Sequence, residues 1–159
     1  MNYIILLLIF IFFILFFSDN IENMEDQNNI YGNVLETCST DPMTGWSRDG
    51  KCNTDENDQG THTVCAQVTD EFLEYTNSQG NDLTTPNDQF NFPGLKEGDK
   101  WCLCALRWKQ AHESGVAPLL DLNATNSKTL EHVNREILEE YNIEKYNIEN
   151  KCLIQNTHL

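Results

Sequence analysis

Trp101-Cys102-Leu103-Cys104-Ala105-Leu106-Arg107-Trp108 packs two tryptophans, two cysteines and an arginine into eight residues. No other window of the 159-residue chain is so dense in side chains that build a core or react. Trp101, Leu103 and Ala105 alternate with Cys102 and Cys104. That reads as a strand with both thiols on one face, because strand side chains repeat every two residues. A helix then begins near Leu106 and carries Trp108, Ala111 and His112 to a stop at Gly115. A helix from Asp99 onward is the alternative reading.

Outward from this centre the same two patterns recur. In Thr61 to Val68, His62, Val64, Ala66 and Val68 alternate with Thr63, Cys65 and Gln67, a second strand. Thr69 is a good N-cap, and Asp70 and Glu71 suit a first helical turn. Ala117 to Leu122, entered through Pro118, is a third strand, so a right-handed βαβ crossover fits 101–122. Asn126 or Ser127 caps a helix with Leu130 and Val133, and Ile137, Leu138 and Tyr141 extend the helical region. The expectation is a single small α+β domain. Its short mixed sheet comes from 61–68, 101–105 and 117–122. Helices near 70–78, 106–114 and 127–141 flank it, with long Gly/Pro-rich loops between.

The loop Cys38–Cys52 is punctuated by Pro42, Gly45 and Asp49-Gly50. A loop of that length is functional or tied down by something. Asn53 to Gly60 reads as its polar continuation. Phe90 and Phe92 pin an irregular segment before Gly98-Asp99.

The ends read differently. Tyr3 to Phe17 is an unbroken apolar run. Its length matches the upper end of a signal h-region, about 7–15 residues, and falls short of the ~20 of a spanning helix. No Lys or Arg precedes it, and Phe16-Phe17-Ser18 puts bulk where a signal peptidase needs small side chains. Residues 1–18 are therefore a hydrophobic anchor or signal segment: a single-pass N-terminal anchor, with secretion after cleavage as the alternative. Residues 19–31 form an acidic flexible spacer, 32–142 the globular domain, and 143–159 a poorly packed tail. In that region Tyr-Asn-Ile-Glu repeats at 141–144 and 146–149, a period that matches neither helix nor strand. The partner this implies is a membrane, through residues 3–17. Nucleic acid is excluded: 25 acidic residues against 10 basic ones give a net charge of −15, and phosphate contacts need clustered Lys and Arg. The sequence does not specify a protein or small-molecule partner.

The six cysteines are Cys38, Cys52, Cys65, Cys102, Cys104 and Cys152. An even count suits disulfides outside the cytosol; in a reducing compartment the same thiols are metal ligands, reactive groups or core residues. The metal set is Cys38, Cys52, Cys102 and Cys104, with Cys65 and His62 as further ligands. Zinc is the cofactor such a set would take, but it is not the favoured reading, since Cys-x-Cys is not the usual Cys-x2-Cys spacing of zinc sites; buried or disulfide-paired structural cysteines are. The catalytic set is Cys102, Cys104 and Cys65 with His62 as acid or base. His62 and Cys65, three apart on a strand, face opposite sides. Arg48 with Asp49, and Arg107, are anion-clamp candidates, against loop bracing. Trp101 is a ligand platform or core. Asn123-Ala124-Thr125 is a glycosylation acceptor if luminal.

These motifs resemble a known family. They run Cys38-Ser39-x-x-Pro42-x-Thr44-Gly45-x-x-Arg48-Asp49-Gly50-x-Cys52, Gly60-x-His62-x-Val64-Cys65 and Gly80-Asn81-Asp82-Leu83-x-Thr85-Pro86. They continue as Phe92-Pro93-Gly94-Leu95-x-x-Gly98-Asp99-x-Trp101-Cys102-Leu103-Cys104-Ala105-x-Arg107-Trp108 and Gly115-x-Ala117-Pro118. The chain is similar, from about Asn33 to Thr125, to the domain of unknown function family 2237. The resemblance implies a shared fold and transfers no activity. It makes five cysteines domain features and Cys152 a bystander. Because members of the family resemble soluble cytoplasmic proteins, it also implies reduced thiols. The hydrophobic leader is an addition to the family pattern. No complete catalytic constellation can be written at plausible spacing. The reading is therefore a membrane-tethered, non-catalytic binding or interaction domain; the alternative is a thiol- or metal-dependent enzyme using the clustered cysteines.

Overall fold

The computed structural model describes residues 27–156, with the backbone alone over 153–156. In chain order the elements are β1 (Val64–Gln67), α1 (Asp70–Ser78), β2 (Lys100–Leu103), α2 (Ala105–Glu113), β3 (Leu119–Leu120), α3 (Arg135–Glu140) and α4 (Ile143–Asn156). Short 3-10 turns lie at Asp88–Phe90 and Ser127–Glu131. The α+β class holds. The sheet order is β2-β1-β3, and both ladders are antiparallel. The sheet expected as mixed is therefore antiparallel throughout: β2 and β3, joined through α2, run the same way but lie on either side of β1 and do not pair.

Local chemistry explains the boundaries. The Thr69 hydroxyl accepts the Phe72 N–H and opens α1. Helix does not run from Asp99, because Lys100–Leu103 is held by β1 and Cys104 is extended at φ −58°, ψ 131°. The helical region expected over 127–141 splits in two, since Asn134 takes an extended conformation ahead of α3.

Strand alternation sorts two cores onto opposite faces of the sheet. Val64, Ala66, Trp101 and Leu103 join Phe72, Trp108 and Leu138 in the main apolar core. Cys65 and Cys102 point the other way and meet Cys38, Cys52 and Ala124. Trp108 is fully buried, stacks on His112 at 5.6 Å and meets the Tyr141 ring edge-on at 5.1 Å. Its indole N–H donates to Pro118 O at 3.1 Å. Each such buried side chain contributes roughly 1.5–3 kcal/mol. At the sheet margins, the Cys102 N–H donates to the Thr44 hydroxyl at 2.8 Å and the Leu120 N–H to Tyr141 O at 2.8 Å.

The ends differ from expectation. Gln27 to Tyr31, assigned above to the spacer, belong to the globule. Ile30 is buried in the core, and the Asn29 amide oxygen takes the N–H groups of Tyr31 and Asn33 at 3.0 and 3.1 Å. Asparagine here satisfies a turn, which composition alone reads as solvation. The anchor expected over 1–18, and the spacer as far as residue 26, lie outside the described residues. Among the described residues no helix is long and apolar enough to cross a membrane. The tail is helical. Asn142 caps α4 by accepting the Glu144 N–H at 2.9 Å, but Tyr146 and Ile148 stay exposed. The five-residue period spreads apolar side chains around the helix and leaves it little to pack.

Candidate functional site

Cys65 pairs with Cys38, and Cys102 with Cys52, closing sequence separations of 27 and 50. The two strand cysteines face each other in register, and the ends of the 38–52 loop lie over them. This is what ties the loop down. It corrects the reduced-thiol expectation drawn from the family resemblance: the folded chain brings each pair within bonding reach. It also redistributes the candidates. Cys65 and Cys102, taken as possible nucleophiles, have no thiol in this state. Of the proposed metal set, the sulfurs of Cys38, Cys52 and Cys102 lie within 4.8 Å of one another, each within a bridge, and Cys104 is not among them. Cys104 and Cys152 are free; Cys104 is half-buried and Cys152 exposed on α4.

Cys104 stands at the junction of β2 and α2, in the N-cap position, with no side-chain capping bond. The ladder explains its neighbour. Val64 faces Leu103, and the Ala105 N–H donates to Thr61 O at 3.0 Å. The residues just before β1 are thereby laid against those just after β2. This sets His62 beside Cys104 and not Cys65, which lies on the opposite face. His62 Nδ1 meets Asp58 Oδ1 at 2.6 Å, while the His62 N–H donates to Asp58 Oδ2 at 2.7 Å and Thr54 Oγ1 to the same oxygen at 3.0 Å. The Asp58 side chain is wholly shielded from solvent. Burial pushes its carboxyl up, but the bonds from His62 and Thr54 outweigh burial and hold it below its ordinary value. The His62 ring is pushed up to about 9. Hydrogen bonding toward the Cys104 sulfur is the largest cause, burial opposes it, and Coulombic interaction with Cys104 and Asp58 adds to it.

Two neighbours fix the ring. Trp46 stacks on it at 5.8 Å and 13°. On its edge, a Cβ placed on Gly60 would come within 2.5 Å of His62 Cε1, so only glycine leaves the ring its place. Asp58 lies in the segment read above only as a polar continuation. The Asp58–Gly60–His62 spacing was the available signal: a carboxylate four residues before a histidine, with a glycine between.

A cleft of about 580 Å³ opens beside His62, walled by Trp46, Arg48, Phe90, Phe92 and Trp101. The Arg48 guanidinium lies 5.0 Å from the Trp101 ring centre and donates to Met43 O at 3.0 Å. The Trp101 ring is in the wall but largely buried, so it serves both as platform and as core. Asp49 does not join Arg48 as a clamp. Its oxygens take the Lys51 N–H at 3.0 Å and the Asn53 side-chain amide at 2.6 Å, which braces the loop. Arg107 lies elsewhere: it ties α2 to Gln79 O and donates to Gln110 within the same helix. Asn123 is half-buried, and the Thr125 hydroxyl of its acceptor motif is buried, donating to Asp121 O at 2.8 Å and accepting the Cys65 N–H. Among the described residues, the non-glycine residues at positive φ are Arg48, Thr61 and Asn91. All three lie in the cleft wall or next to a wall residue. Such conformations cost of order 1–3 kcal/mol and gather at functional sites.

A family model described as an uncharacterized protein conserved in bacteria (DUF2237) matches residues 28–142. No curated protein matches the chain.

Proposed function

We propose that this chain, which belongs to the DUF2237 family, is a thiol-dependent enzyme with Cys104 as nucleophile, His62 as acid and base, and Asp58 as the group that orients His62. The reading is carried by a shielded carboxylate that holds one ring nitrogen of His62 at 2.6 Å, in a segment that the Ala105 N–H to Thr61 O bond lays against the half-buried free thiol of Cys104. Nucleophile, base and orienting group in that order are the logic of thiol catalysis.

The reaction class is acyl transfer to water. The Cys104 thiol gives its proton to His62 as its sulfur attacks the acyl carbon, a C–S bond forms, and the bond to the leaving group breaks as His62 hands that same proton to it. Water then attacks the thioester while His62 takes its proton; the C–S bond breaks, the acid leaves and the thiol is restored. The Leu106 N–H, in the first turn of α2, has no intrahelical carbonyl to reach. With the Ala105 N–H bonded to Thr61 O, it is the next backbone donor after Cys104 for the developing oxyanion. Incubation with p-nitrophenyl acetate tests this. One acetyl group should appear on Cys104 ahead of Cys152, and His62→Ala should abolish the preference. Equal acetylation of the two thiols would sink the reading.

The exposed Trp46 and Phe90 in the cleft favour a second reading, a binding domain that holds a flat apolar ligand without reacting. Cys104→Ala that leaves ligand binding intact, in a wild-type protein with no acyl adduct, would select it. The N-terminal tether over residues 3–17 belongs to either proposal and rests on the apolar run alone. Flotation of the full chain with lipid vesicles, lost on deleting 1–18, is its test.

A further inference from the structure

We propose that the four bridged cysteines are also a zinc site, closed when the bridges are oxidised and opened when a dithiol reductant cleaves them. The inference is independent of the Cys104 reading and rests on where the sulfurs lie. Two bridges that served only as staples could sit anywhere along the loop. Here they lie side by side: the sulfurs of Cys38, Cys52 and Cys102 are within 4.8 Å of one another, and the Cys65 sulfur, outside that group, is bonded to the first of them, so it becomes the fourth ligand by turning inward once that bond is cleaved. All four residues are at most 5 % exposed, and the apolar neighbour that completes their cluster is Ala124.

The scaffold suits a closed structural zinc site, which takes four thiolates in a tetrahedron. Two ligands come from facing positions on β1 and β2, held by the ladder. The other two come from the ends of one loop, pinned by the Cys38 N–H to Gly50 O bond at 2.8 Å. Around them the Thr44 hydroxyl takes the Cys102 N–H and the Thr125 hydroxyl takes the Cys65 N–H, a polar shell that steadies the ligand backbones. A net charge of −15 draws divalent cations toward the surface.

Each bridge accepts two electrons and two protons from one dithiol, which becomes a disulfide, and two protein thiols are freed. The four thiols then release their protons to solvent as their sulfurs bind one Zn²⁺. Soft thiolates select zinc over magnesium or calcium.

The test is native mass spectrometry of the full chain, oxidised and then reduced with excess phosphine alongside equimolar zinc sulfate. Expected are no zinc on the oxidised chain and one zinc on the reduced chain. Cobalt in place of zinc should give thiolate-to-metal absorption. Cys52→Ser and Cys65→Ser should each lower zinc retention at least tenfold, and a Cys104→Ser, Cys152→Ser double variant should keep one zinc. A reduced chain that takes no zinc overturns the proposal. So does zinc that survives Cys52→Ser but is lost with Cys104→Ser. If reduction unfolds the metal-free chain, zinc must restore its near-ultraviolet tryptophan dichroism; failure to restore it also overturns the proposal.

Discussion

Cys65 and Cys102 face each other across the β1–β2 ladder, yet neither bonds to the other. Each reaches to a different end of the 38–52 loop, which carries Trp46 and Arg48 to the cleft. Two distant parts of the sequence are thereby fixed against one sheet face, and the cleft wall depends on both bridges.

Removing either bridge as a Ser/Ser pair should therefore loosen the wall and lower stability. Loop-closure entropy for separations of 27 and 50 residues gives about 3.5 and about 4 kcal/mol. Urea melts under oxidising, metal-free conditions should show the Cys52→Ser, Cys102→Ser chain as the weaker. Tryptophan fluorescence should shift to the red in both as solvent reaches the largely buried Trp101 of the cleft wall.

The His62 titration carries a definite sign. Its folded pKa of about 9 lies above its ordinary 6.5. The stability it contributes is thus fully present below pH 6.5 and is lost as pH rises through about 9. Ring proton shifts followed by NMR should stay those of the imidazolium well above neutrality. Cys104→Ser should move the midpoint down, because the largest cause of the rise is removed. An unmoved midpoint would refute the pairing.

Gly60→Ala tests the position of the ring without replacing any proposed reacting residue. The added methyl would come within 2.5 Å of His62 Cε1, so the ring must shift. Displacements near 1 Å reduce rates about a hundredfold. Acetylation of Cys104 should fall by that order while the far-ultraviolet dichroism stays native.

Trp108→Phe separates the main core from the site. It keeps most of the apolar volume but leaves Pro118 O without its 3.1 Å donor. The expected loss is about 1–3 kcal/mol by thermal or urea melting, with no change in the relative alkylation rates of Cys104 and Cys152.

The strands and α1 were legible because alternation and capping are local signals. Val64 and Ala66 against Cys65, and Thr69 ahead of Asp70, need no knowledge of the rest of the chain. The partner of His62 was not legible. Its contact with Cys104 depends on the register between two strands more than thirty residues apart, and a strand's own face pattern says nothing of what adjoins its end. Asp58 was hidden for another reason. A carboxylate among Asn, Asp and Glu looks solvated, and only the closed fold shows that it accepts His62 and Thr54 in a shielded place. Ile30 shows the same limit at the N-terminus: one apolar residue in a polar run carries no period, yet it is core.

The Thr44 and Tyr141 contacts at the sheet margins have a consequence for how copies of the chain meet. A three-stranded sheet has two outer strands, and their unpaired N–H groups are a template for another chain to extend. Here a loop hydroxyl takes the Cys102 N–H on one flank and a main-chain carbonyl takes the Leu120 N–H on the other. Strand addition at either flank would first have to displace these fastenings, so concentrated solutions of the folded domain should resist β-type aggregation.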